Sequence, residues 1–279
     1  MTRELASALI EHHVPDFREQ FDPLLRSSIR ITATRLPYDG ANLKSKFAGS
    51  PLLPGNIPWP TLDPRPSPLR FITQLHLADL PPLTSIPLPL DGLLLFFYRD
   101  DEDVSFDPRS IGSGRVIYVP QGQIPPAPKE PPARKRPYVN SSLDFALEWT
   151  LPSDPHEYGV DISRDALQRY AQLLQDLYGE SPTIHRLGGY PQPIQYDMRL
   201  EAQLATNGIF VGDASSYNDP RRIALQEGAA DWQLLLQIDT DEDGPGWMWG
   251  DVGRLYFWGR RQDLVRGNFD KVWCCEQCY

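Results

Sequence analysis

Apolar residues recur along the chain with two spacings, one of about four residues and one of two. Leu5, Leu9 and His13 are four apart, and after Pro15 the spacing resumes with Phe17, Phe21, Leu24 and Leu25. This predicts a helix in two pieces over residues 2–27. Ile29, Ile31 and Ala33 then alternate with polar residues up to Arg35, as in a strand with one wet face. The clearest helix is predicted from about Ser163 to Tyr178. Ser163 suits the N-cap, Leu167, Tyr170, Leu174 and Leu177 form one face, and Gly179 suits the stop. In residues 71–77 a strand period puts Phe71, Thr73, Leu75 and Leu77 on one face and Ile72, Gln74 and His76 on the other. A second such segment puts Trp232, Leu234, Leu236 and Ile238 opposite Leu235, Gln237 and Asp239. The longest strongly apolar run, Gly92 to Tyr98, is too short to span a membrane. Residues 120–137 are proline-rich and predict a stiff, extended spacer rather than a packed element.

Some of these patterns occur twice. Residues 46–51 (KFAGSP) align with 186–191 (RLGGYP), 69–77 with 232–240, and 92–97 with 253–258. The order is kept, at offsets of 140, 163 and 161, with an insertion over about Leu200 to Glu227 that carries a possible helix after Asn218-Asp219-Pro220. Three ordered blocks predict a duplication, with halves of about 28–119 and 138–279 joined by residues 120–137 in a single domain over 1–279. A chance likeness between β-strands is the alternative. Gly49 and Gly189 read as turn residues with positive φ, each two residues before a proline, Pro51 or Pro191.

Composition narrows the function. Of 279 residues, 29 are proline, about twice average usage, while the 41% hydrophobic content is ordinary for a globular chain. The net charge of −10 disfavours nucleic acid and anionic membrane as partners. The one basic cluster, Arg134-Lys135-Arg136, reads as part of a solvated linker. No signal peptide is visible at the N-terminus, and the three cysteines, Cys274, Cys275 and Cys278, are no disulfide framework, so a cytoplasmic protein is expected. Cys275-x-x-Cys278 has no second pair to complete a zinc site, and no nucleotide-binding or nucleophile-elbow pattern occurs. No cofactor and no metal are expected. Asp239-x-Asp241-x-Asp243-Gly244 begins like a calcium loop, but its twelfth position is Gly250. It reads as an acidic turn between strands, with calcium binding at Asp239–Asp243 an alternative. His76 with Asp239 and Asp251 is the one acid–base set to entertain, as in a hydrolase.

Residues 46–54 (KFAGSPLLP), Trp59-Pro60, Phe71 to Leu80, residues 187–191 (LGGYP), Gln195, Leu235 to Asp239, Trp249-Gly250-Asp251, Leu255 to Trp258 and Gln277-Cys278-Tyr279 form an ordered set of motifs. By these motifs residues 44–279 resemble the YwqG family, a bacterial group of unknown function. Ala48 stands where the first glycine is expected, and His76 where an acid is. The resemblance implies an α+β fold of mixed, mostly antiparallel sheets, here from two duplicated halves with N-terminal helices. It also brings a weaker similarity to the eukaryotic programmed-cell-death-protein-two group, a dedicated chaperone for a ribosomal protein, without that group's zinc-binding insertions. The expected function is a non-enzymatic protein- or peptide-binding module, chaperone-like or of the immunity type. Its candidate binding residues are Trp59, Gln74, Gln195, Gln237, Asp239, Trp249 and Asp251. Gln74 and Gln237, amides flanked by apolar neighbours, either tie down nearby loops or read a peptide ligand.

Overall fold

The computed structural model describes residues 1–37, 44–62, 67–99, 107–133, 137–179, 181 and 183–279. The basic cluster Arg134-Lys135-Arg136 lies outside the described residues. The chain folds as α+β. Its strands are β1 (Arg26–Arg35), β2 (Lys46–Phe47), β3 (Thr61–Leu62), β4 (Ser67–Pro68), β5 (Arg70–His76), β6 (Leu93–Tyr98), β7 (Gly114–Val119), β8 (Ser141–Thr150), β9 (His185–Leu187), β10 (Trp232–Asp239), β11 (Arg254–Arg260) and β12 (Trp273–Gln277). The helices are α1 (Arg3–His13), α2 (Arg18–Phe21), α3 (Arg164–Tyr178), α4 (Arg199–Ala205), α5 (Arg221–Gln226) and α6 (Arg261–Val265).

Strands β3 and β4 form a small ribbon, and the other ten make one sheet in the order β12-β11-β10-β9-β1-β8-β2-β5-β6-β7. The resemblance implies mixed, mostly antiparallel sheets, and among the described residues every strand pairing is antiparallel. The two end strands approach each other, so the sheet is nearly closed. Gly114 of β7 makes this possible: a Cβ there would lie 2.3 Å from the Cβ of Cys274 on β12. Beside the seam, the Tyr98 hydroxyl donates to Glu276 Oε2 at 3.0 Å.

The enclosed face is the main core. Ile29, Phe47, Leu75, Phe96, Val116, Leu187, Ile238, Phe257 and Cys274 meet there, drawn from nine strands around the sheet. Three smaller clusters cover the outside. Leu52, Leu53 and Leu62 lie on β5, β6 and β7. Met198, Ala202 and Ala205 of the α4 region lie on β10, β11 and β12. Helices α1 and α3 pack against each other and against Leu151.

Helix α3 follows its sequence signals: Ser163 Oγ accepts from Ala166 N at 3.3 Å, and Gly179 ends the helix at φ 68°. In α1 the buried residues are Ala6 and Ile10, while Leu5 is 58% exposed, so the apolar stripe sits one residue beyond the expected Leu5-Leu9-His13 set. The proline-rich stretch also departs from expectation. Far from a free spacer, it is pinned where Lys129 N donates to Pro51 O at 2.8 Å and Lys129 Nζ to Ile57 O at 2.7 Å.

Local geometry recurs at the blocks that repeat in sequence. The β5–β6 register slips between Phe71 and Thr73, and the β10–β11 register slips between Leu234 and Leu236. The two skipped residues accept from matching amides, Ala48 N to Ile72 O at 2.8 Å and Gly188 N to Leu235 O at 3.1 Å. Ala48 and Gly49 have φ of 55° and 73°, and Gly188 and Gly189 of 70° and 73°. Ala48 therefore bears the left-handed strain that glycine avoids at the matching position.

Candidate functional site

Gln74 and Gln237 are both fully buried on the outer side of the sheet, each beneath a covering loop. Gln74 Nε2 donates to Lys44 O and its Oε1 accepts from Leu52 N, at 2.9 and 2.8 Å. Gln237 Nε2 donates to Ile184 O and its Oε1 accepts from Gln192 N, both at 2.9 Å. The two amides thus bind the chain's own loops, the first of the two readings open to them. Gln237→Ala is expected to strand a buried carbonyl and a buried N–H, losing about 2–4 kcal/mol of stability. Urea unfolding with an unchanged slope and a lower midpoint checks this; an unchanged midpoint contradicts it.

Asp239 is an anchor as well. Its Oδ2 accepts from Ile184 N at 2.9 Å, and its Oδ1 pairs with Arg254 Nε at 3.0 Å. His76 is engaged separately, with Asp79 at 2.9 Å and Gln121 at 3.1 Å. Four strands separate their two strands, about 24 Å along the sheet, so His76 and Asp239 are not brought together. Asp251 is exposed in the β10–β11 connection, where its carbonyl accepts from Tyr279 N at 3.1 Å. In the acidic turn, Asp241 Oδ1 accepts from Gly244 N at 2.7 Å and Oδ2 meets His185 Nε2 at 3.2 Å. Among the described residues no group of three His, Cys, Asp or Glu converges as a metal would require.

Trp249 and Trp247 turn inward and plug one end of the sheet. Their indole N–H groups donate to Asp239 O at 3.2 and 2.9 Å, and Tyr138 stands edge-on to both rings. Trp59 stays near the outer surface: its Nε1 donates to Leu69 O at 2.8 Å and its ring packs edge-on to Phe97. It lines a cleft of about 230 Å³ with Gly49, Arg70, Phe71, Pro132 and Tyr138. The Arg70 guanidinium lies 3.8 Å from the centre of the Tyr138 ring.

A second cleft, of about 190 Å³, occupies the matching place over β10, with Gly189, Trp232 and Leu234 where the first has Gly49, Leu69 and Phe71. Of the sequence candidates it takes in only Gln195, whose Nε2 donates to Cys278 O at 2.9 Å. Its chemistry comes from residues the sequence reading did not single out: Arg26, Asp154, Glu157, Tyr158, Tyr190, Asp197 and Arg199. Tyr158 stands edge-on to Tyr190 at 5.0 Å, Arg26 lies 4.1 Å from the centre of the Tyr190 ring, and Arg199 lies 4.6 Å from that of Tyr158. Arg199 pairs with Asp197 at 2.8 Å and Glu157 at 3.3 Å. Burial, reinforced by the charge of Asp197, holds the Glu157 carboxyl above the usual range. No periodic pattern marks these residues, because they come from the start of β1, the first residue of α4, a short turn around residues 154–158 and the connection around residues 190–197. The one available signal was the LGGYP block containing Tyr190.

A third cleft, of about 360 Å³, adjoins the second, and Tyr196 and Asp197 line both. Leu200, Leu204, Tyr217 and Arg222 complete it. Tyr217 is 72% exposed, an uncommon state for a large aromatic ring. Among the described residues no helix is long and apolar enough to cross a membrane.

No curated protein matches the chain. The family described as Domain of unknown function (DUF1963) matches residues 45–278, most of the sequence, and the chain belongs to that family.

Proposed function

We propose that the protein is a non-catalytic module that binds an extended peptide segment of another protein. The observation that carries this reading is the continuity of the second and third clefts through Tyr196 and Asp197. They form an open trough with aromatic walls, a shape suited to several residues of an extended chain. Half-exposed Tyr196 and largely exposed Tyr217 offer wide, stiff contact surfaces at small entropic cost.

The repeated register slips, amide bonds and left-handed turns support a duplicated architecture, and the sequence motifs support a YwqG-like identity. Under this reading, the inserted segment between the repeated blocks specialises one cleft for a partner. The buried thiols of Cys274 and Cys275, both free, agree with the cytoplasmic setting expected from the sequence.

Selection of random dodecapeptides displayed on phage tests the proposal. The full-length protein is expected to enrich a defined set of sequences, and Tyr196→Ala/Tyr217→Ala is expected to lose that enrichment while keeping its melting temperature. Equal enrichment on both proteins would falsify the reading.

A further inference from the structure

The trough contains a cation and a donor without partners, side by side. Arg199 has two carboxylates, whereas Arg26 has no hydrogen bond or ion pair from its guanidinium among the described residues, only the faces of Tyr190 and Tyr158 at 4.1 and 5.7 Å. The Tyr190 hydroxyl is buried and makes no hydrogen bond among the described residues. Burying a phenol unpaired is unfavourable, and a guanidinium held over aromatic rings still has all its N–H groups to give. Together they make half of an anion site.

The charge around them selects the anion. Asp154, Glu157 and Asp197 line the same cleft as Arg26 and Arg199, three acids against two bases. That balance repels a dianion such as a phosphate monoester and tolerates a singly charged carboxylate next to Arg26. Beyond it lies the apolar wall of Leu200, Leu204 and Tyr217, where preceding side chains of a bound segment would rest.

We infer that Arg26 and the Tyr190 hydroxyl bind the C-terminal carboxylate of a polypeptide whose last residues lie along the adjoining trough. This rests on the peptide-binding reading above and adds its polarity: the partner enters by its C-terminal end.

Two pools of random octapeptides, identical except for a free carboxylate or an amide at the C-terminus, test it. Each is offered to the immobilised full-length protein, and captured peptide is quantified by mass spectrometry. Free-acid peptides are expected at about tenfold or more above the amidated pool, the difference one charge-assisted bond supplies. Arg26→Gln should abolish that preference. Tyr190→Phe, which keeps the ring beneath the guanidinium, should reduce it several-fold without lowering the melting temperature; a lower melting temperature would reveal a structural partner for the hydroxyl and overturn its role. Equal capture of both pools overturns the terminal-carboxylate assignment and leaves peptide binding standing. Enrichment of Asp- and Glu-containing sequences in both pools alike assigns Arg26 to side-chain carboxylates and also overturns it. Capture of neither pool overturns both readings.

Discussion

Gly114→Ala is expected to lower stability by about 3–5 kcal/mol, one of the two largest effects foreseen for a single substitution. The added methyl would sit 2.3 Å from Cys274 Cβ and 3.1 Å from the Phe257 ring, both buried within the core. No rotamer change relieves such a clash, because the nearest atom is attached directly to the backbone of β12. The sheet must open at its seam, exposing β7 and β12 and straining the bond between Tyr98 and Glu276. Chemical unfolding of Gly114→Ala, Cys274→Gly and the double variant measures this. A coupling energy that offsets much of the alanine penalty is expected, and purely additive losses would show that the seam is not the cause.

Glu148→Gln is the second, also expected to cost about 3–5 kcal/mol. Glu148 accepts from Arg30 Nε at 2.8 Å and Arg186 Nε at 2.7 Å, and Arg186 is wholly buried. The same two guanidiniums reach on to Tyr178 O and Tyr190 O, so the carboxylate also fixes the end of α3 and the wall of the second cleft. Burial alone would raise the Glu148 pKa; Arg186 and Arg30 outweigh it and hold the carboxyl below its usual 4.5. A depressed pKa stabilises the fold fully above that value, and the contribution is lost as the pH falls through the folded-state pKa. The acid limb of the stability profile should therefore be shallower in Glu148→Gln than in the parent protein. A parallel limb would mean that other carboxylates govern acid unfolding. Replacing Glu148, Arg30 and Arg186 together by methionine should recover most of the loss, since no charge is then left unpaired.

What the sequence revealed follows from where its information lies. Helix α3 was legible because its cap, stripe and stop are local: Ser163, Tyr170 and Gly179 fall where their roles require. The strands carrying Gln74 and Gln237 were legible from their period, although the register slips at Ile72 and Leu235 break it: Phe71, Trp232 and Leu234 face outward while Ile72, Leu75, Leu235, Leu236 and Ile238 face the core, which no period of two predicts. Trp249 drew notice as an aromatic, yet whether an indole binds a partner or fills the end of a sheet depends on a fold-back to Asp239 O that spacing does not encode. Arg26 escaped notice for the opposite reason. An arginine at the start of a strand is ordinary until the folded chain deprives it of a carboxylate and places Tyr190 beneath it.

The order of strands at the middle of the sheet also bears on how the protein comes to be folded. Strand β1 has β8 on one side and β9 on the other, partners that begin at Ser141 and His185. During synthesis the segment from Arg26 to Arg35 therefore waits through more than a hundred residues with both edges open, a long-range closure of the kind that slows folding and invites misassembly. A fragment ending at Val119 would hold, among the described residues, five sheet strands while leaving the central one without either neighbour. Assembly of the sheet is thus a late event in the life of the nascent chain, gated by the emergence of β8 and β9 rather than by the order in which its own strands appear.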